Sequence, residues 1–70
     1  MEQFYKNHHI EVSVWLNDEG WFINVFIYYS ENRTNILVTF AVNEKSTTYA
    51  EAVEVGLTAA RRWIDRASEP

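Results

Sequence analysis

The chain has 70 residues, of which 47% are hydrophobic and 16% aromatic, and it carries a formal charge of −4 from six Lys and Arg against ten Asp and Glu. This composition excludes a disordered tail, whose signature is few aromatics, and argues against a nucleic-acid binder or a ligand of anionic membranes, both of which need a basic face. With no cysteine there is neither a disulfide framework nor a thiolate metal site, so a domain that buries only about 60% of its unfolded surface gains most readily from self-association.

The start, Met1-Glu2-Gln3-Phe4-Tyr5-Lys6, shows no basic stretch followed by an apolar one, and no apolar run approaches the ~20 residues of a membrane span. The expectation is a cytoplasmic protein with residues 1–70 as a single domain, frayed over 1–6 and 67–70. Ile10, Val12, Val14 and Leu16 alternate with His9, Glu11, Ser13 and Trp15, which predicts a strand over 8–16. Asn17-Asp18-Glu19-Gly20 reads as a four-residue turn. A second strand over 21–29 is apolar at both parities: Trp21, Ile23, Val25, Ile27 and Tyr29 against Phe22, Phe26 and Tyr28, with Asn24 the one break. Ser30 to Asn35 reads as a longer hairpin loop, and Ile36 to Val42 as a third alternating strand.

Pairing Leu16 with Trp21, and Ile27 with Val38, collects the aliphatic positions of all three strands on one inner face. A one-residue slip would mix the two sets, so the pattern specifies register. Thr48-Tyr49-Ala50-Glu51 has the form of a capping box at the start of a helix over 49–66. Val53, Gly56, Leu57, Ala60 and Ile64 form its buried stripe, with Gly56 expected to let the helix approach Phe40 or Trp21 closely. The predicted fold is α+β: a three-stranded antiparallel β-meander with one C-terminal α-helix packed on one face.

One helix covers one face of a sheet. The other face, carrying Trp15, Phe22, Phe26, Tyr28 and Leu37, therefore needs a partner, and the expected protein interface is made of these five residues. The edge strands His8–Leu16 and Ile36–Val42 offer a second way to associate.

Residues that carry chemistry are sparse. His8 and His9 point to opposite faces, leaving His9 and Glu11 as a pair too small for a transition-metal site. Helix capping and the helix dipole account for Glu51 and Glu54. Ser13, Ser30, Ser46 and Ser68 have no flanking glycine, so no nucleophile elbow is present, and two glycines cannot make a phosphate-binding loop. Arg61, Arg62 and Arg66 match the negative end of the helix dipole, with Asp65 expected to neutralise Arg61. No catalytic, cofactor or metal site is expected. The reading is a non-enzymatic interaction module that homodimerises through its aromatic sheet face.

Gly20-Trp21-Phe22 entering a strand, Thr48-x-x-Glu51-Ala52, and then Ala59-Ala60 and Trp63 together resemble the small HicB-like domains across roughly residues 5–65. That resemblance implies a partial RNase H fold of three strands and a helix, and an antitoxin-type role in binding a foreign protein. Val38-Thr39-Phe40-Ala41-Val42-Asn43 stands where that family has Pro-Asp-Leu-Pro-Gly-Cys. The chain also resembles small bacterial βββα proteins with an Ala-Arg-Arg-Trp-Ile-Asp helix end. Its strand order further resembles the double-stranded-RNA-binding domain without its first helix, which implies nucleic-acid binding. Glu51 and Glu54 occupy the helix start that such domains make basic.

Overall fold

Alternation of side chains dominates the architecture. A computed structural model describes residues 1–69 as an antiparallel sheet in the order β1 (Glu2–Tyr5), β2 (His8–Asn17), β3 (Gly20–Glu31) and β4 (Thr34–Val42), followed by α1 (Tyr49–Ala67). The α+β class, the C-terminal helix and the antiparallel meander are those expected. The strand number is not, because the sheet has four strands rather than three.

The additional strand is β1, in the segment expected to fray. Three features hold it. Lys6 and Asn7 take φ of 47° and 63°, the paired left-handed geometry of a tight hairpin turn, and set Tyr5 opposite His8 and Gln3 opposite Ile10. Met1 extends the ladder, accepting from the Val12 amide at 2.8 Å and donating to the Val12 carbonyl at 3.1 Å. The inward-facing side chains then bind the flank of the helix. Tyr5 donates to Asp65 at 2.9 Å, and Gln3 accepts from Arg61 at 2.7 Å.

The inner-face register is as expected. Val14 faces Ile23, Val12 faces Val25, and Ile10 faces Ile27; across the next hairpin Ile27 faces Val38 and Val25 faces Phe40. The connections are tighter than their polar composition implies. The first zips to Asn17 opposite Gly20, where the Asn17 side chain accepts the Glu19 amide at 2.8 Å and Gly20 adopts φ +121°. The expected loop over 30–35 is instead continuous strand closed by Asn32-Arg33, with φ of 50° and 66° and Glu31 opposite Thr34. Two consecutive left-handed residues form a hairpin turn without glycine, which polarity alone does not reveal.

The core lies between α1 and the inner faces of β2 and β3. Ile10, Val12, Ile23, Val25, Ile27, Ala52, Val53, Leu57, Ala60 and Ile64 are buried, and no polar or charged residue among those described is buried with them. Gly56 permits the close approach, but against Val12 and Ile23 rather than Phe40 or Trp21. A Cβ there would stand 2.5 Å from Val12 Cγ1 and 3.0 Å from Ile23 Cγ2. Trp21 against Tyr49 and Tyr29 against Trp63 close the two ends of the core.

Thr48 caps the helix as expected, accepting the Glu51 amide at 3.1 Å. The Glu51 carboxylate takes the Thr47 hydroxyl at 3.0 Å. Asp65 pairs with Lys6 at 2.7 Å and not with Arg61, which binds Glu54 at 3.1 Å as well as Gln3. No helix among the described residues is long and apolar enough to cross a membrane.

The molecule is elongated, 42 × 20 × 17 Å, with a radius of gyration of 12.7 Å. A folded 70-residue domain has about 11 Å. Its accessible surface is 5158 Å², against about 4,600 Å² for a monomer of this mass. The excess arises because a single helix covers only part of one face.

Candidate functional site

The outer face is built by the parity opposite to the core. β1 contributes Glu2 and Phe4, β2 His9, Glu11, Ser13 and Trp15, β3 Phe22, Asn24, Phe26 and Tyr28, and β4 Leu37, Thr39 and Ala41. Successive registers place these residues in rows that cross the sheet.

One row is apolar and aromatic across all four strands. Phe4 faces His9, His9 faces Tyr28, and Tyr28 faces Leu37. Phe4 and His9 stack at 4.8 Å with ring planes 16° apart, and His9 meets Tyr28 at 5.6 Å. These are favourable cross-strand contacts, yet they leave much of the row in water. Phe4 is 78% exposed, Leu37 54% and Tyr28 38%.

The adjoining row is mixed: Glu2 opposite Glu11, Glu11 opposite Phe26, and Phe26 opposite Thr39. Phe26 is half-buried among them. Two carboxylates directly opposite each other repel. His9 Nε2 lies 3.3 Å from Glu2, and the Tyr28 hydroxyl is a long 3.4 Å from Glu11. Partial desolvation on the sheet, with the Glu11 charge adding to it, raises the Tyr28 phenol above its ordinary pKa. The third row is Ser13, Asn24 and Ala41. The last is the Trp15–Phe22 pair, stacked at 5.7 Å with planes 18° apart and still 45% and 40% exposed.

The five expected interface residues therefore share one face but fall into two clusters. Phe26, Tyr28 and Leu37 stand together at one end. Trp15 and Phe22 stand at the other, four strand residues along β3 from Phe26 and six from Tyr28, about 14 Å and about 20 Å away. Ser13 and Asn24 lie between. Phe4 and His9 complete the first cluster and were not among the five. Phe4 belongs to the segment expected to fray; the signal for it is Gln3 and Tyr5 alternating with Glu2 and Phe4 ahead of the Lys6-Asn7 turn.

No family model, curated protein or solved structure matches this chain.

The residues weighed for other chemistry stay dispersed. No group of three or more His, Cys, Asp or Glu among the described residues is placed to hold a metal ion. Ser30 bonds the Asn35 side chain at 2.9 Å, and Ser68 donates to the Ile64 carbonyl at 2.9 Å, so neither faces a base. Arg61, Arg62 and Arg66 belong to the helix, on the opposite side of the sheet from the aromatic face.

Proposed function

We propose that this protein is a non-enzymatic interaction module whose outer sheet face is covered by a second copy of itself. The observation that carries the reading is the Phe4–His9–Tyr28–Leu37 row, three aromatic rings and a leucine running from one edge of the sheet to the other, with Phe4, Tyr28 and Leu37 exposed.

Area and charge support a second copy as the occupant. Four strands about 4.8 Å apart and nine residues at about 3.4 Å give a projected face of roughly 600 Å². The accessible area of a corrugated side-chain surface exceeds its projection, which brings the face near the 800 Å² or so per partner of a standard interface. A copy turned end for end sets the Trp15–Phe22 cluster of each chain against the Tyr28–Leu37 cluster of the other. The same rotation lays each strand over its counterpart and sets Glu11 over the partner's Ser13, so this carboxylate meets a hydroxyl donor instead of another carboxylate.

A nucleic-acid occupant fits less well, because the charged groups of this face are Glu2 and Glu11. A foreign protein on the same surface, the role implied by the HicB-like resemblance, is the other occupant considered. Sedimentation of Phe22→Lys and Tyr28→Lys, one variant from each cluster, tests the reading. Both are expected to sediment at a lower mass than the wild type. An unchanged mass in both, with the fold intact by circular dichroism, would remove self-association through this face.

A further inference from the structure

We infer that β4 is a second association surface, at which another copy of this chain pairs strand to strand and extends the sheet. This inference does not rest on the outer-face reading, since the two surfaces are perpendicular.

The sheet has two edges, and they differ. β2, an edge in the three-strand expectation, is interior. β1, which covers it, is a four-residue strand flanked by charge at Glu2 and Lys6. β4 is nine residues, Thr-Asn-Ile-Leu-Val-Thr-Phe-Ala-Val, and is paired with β3 without a bulge from Thr34 to Val42. It carries no charged residue and no proline. Short length, charge, proline and bulges are the devices that keep natural sheet edges from pairing. β4 has none of them, in a chain where 23% of residues are charged.

The Asn32-Arg33 turn sets which backbone groups are free. Glu31 and Thr34 flank this two-residue turn and exchange the first ladder bonds. Bonded pairs then recur at Ile36, Val38, Phe40 and Val42. Asn35, Leu37, Thr39 and Ala41 accordingly turn their N–H and C=O groups to the open edge.

The side chains repeat the asymmetry. Ile23, Val25 and Ile27 on β3 are at most 1% exposed, whereas Val38, Phe40 and Val42 beside them are only half-buried. The helix lies over β2 and β3 and reaches β4 little.

A two-fold axis at Val38 pairs all nine residues. Leu37 meets Thr39 of the other copy, Ile36 meets Phe40, and Asn35 meets Ala41. Parity is preserved in such a pairing, so inner face continues inner face and both helices stand on one side. They are then about four strand spacings apart, roughly 19 Å, which exceeds the 10–12 Å or so of a helix diameter. Nothing in the fold obstructs the eight-stranded sheet that results.

Light scattering at micromolar concentration on four chains tests the inference: wild type, Phe26→Glu, Thr39→Pro and the double variant. The Thr39 amide faces solvent in the single chain, so proline there removes an inter-copy bond and no bond to β3. Ala41→Pro, at another amide turned to the open edge, serves if proline at 39 disturbs the fold. The expected results are a mass of two chains for Phe26→Glu, one chain for Phe26→Glu combined with Thr39→Pro, and half the wild-type mass for Thr39→Pro alone. Slow hydrogen exchange at the Thr39 and Ala41 amides in Phe26→Glu is expected with them. A single-chain mass for a folded Phe26→Glu, with fast exchange at both amides, would overturn the edge pairing while leaving the outer-face reading standing. A wild-type mass retained by Phe26→Glu but halved by Thr39→Pro would support the edge and remove the face.

Discussion

The Tyr5 hydroxyl donates to the Asp65 carboxylate at 2.9 Å, fastening the first strand of the sheet to the last turn of the helix. Lys6 reaches the same carboxylate at 2.7 Å. These contacts turn an amino-terminal segment of ordinary polarity into an edge strand, and that strand supplies Phe4 to the outer face.

The pH dependence of this clasp follows from its charges. The Lys6 ammonium first, and then the Tyr5 hydroxyl, hold the Asp65 carboxyl below its ordinary 3.8. A lowered carboxyl pKa contributes stability that is full above the ordinary value and is lost as pH falls through the folded one. Asp65 in turn raises Lys6 above 10.5, and that contribution is present below 10.5 and lost as pH rises through the raised value. Asp65→Asn is therefore expected to lower the thermal midpoint by a constant amount between roughly pH 5 and pH 9, with the gap closing at both extremes. Melting curves of the two proteins across pH check it. A gap that persists well below pH 3.8 would show that the carboxylate charge is not what Asp65 supplies.

Gly56 is expected to resist replacement. Alanine favours a helix over glycine by about 1 kcal/mol, but its Cβ would lie 2.5 Å from Val12 Cγ1 and 3.2 Å from Cγ2. Val12 is buried and β-branched, so it cannot turn aside. Overpacking of this kind costs about 1–3 kcal/mol. Gly56→Ala should destabilise by about 1 kcal/mol net, and adding Val12→Ala should yield a double variant more stable than the two separate losses imply. Urea unfolding of the three variants measures the coupling, and strict additivity would contradict the contact.

Much of this was legible in the sequence, because each signal was strong where it was read. The alternation of Ile10 to Leu16 and of Ile36 to Val42 could pair with the second strand in only one register without mixing its faces. Thr48 and the Val53–Ile64 stripe marked the helix. What escaped was local. Asn32-Arg33 and Lys6-Asn7 fold as left-handed turns without glycine, so one hairpin reads with a longer loop than it has and the other reads as a frayed end. The two-cluster division of the outer face follows from exact cross-strand rows, which a list of aromatic positions does not contain.

The Asn32-Arg33 turn suggests a gain in stability. Arg33 sits at φ 66°, where a residue with a side chain pays about 1–2 kcal/mol. Arg33→Gly relieves that strain and adds about 0.5–1 kcal/mol of freedom to the unfolded chain. The net expectation is a gain of about 0.5 kcal/mol, or a rise of about 2–4 °C in midpoint for a domain this small. Calorimetry checks it, and a lower midpoint would mean that the Arg33 side chain makes contacts that outweigh the strain.

The claim that the outer face is a self-association surface is tested most directly by the solution mass of the wild type and of Phe26→Glu, measured by light scattering at the same micromolar concentration. Phe26 is half-buried on the inner side of the Tyr28–Leu37 cluster, where an interface would desolvate an introduced carboxylate at a cost of several kcal/mol or more. The expected result is a wild type that is a multiple of 8.3 kDa and a folded Phe26→Glu of half that mass. A wild type of 8.3 kDa, or a Phe26→Glu variant of unchanged mass, would contradict it.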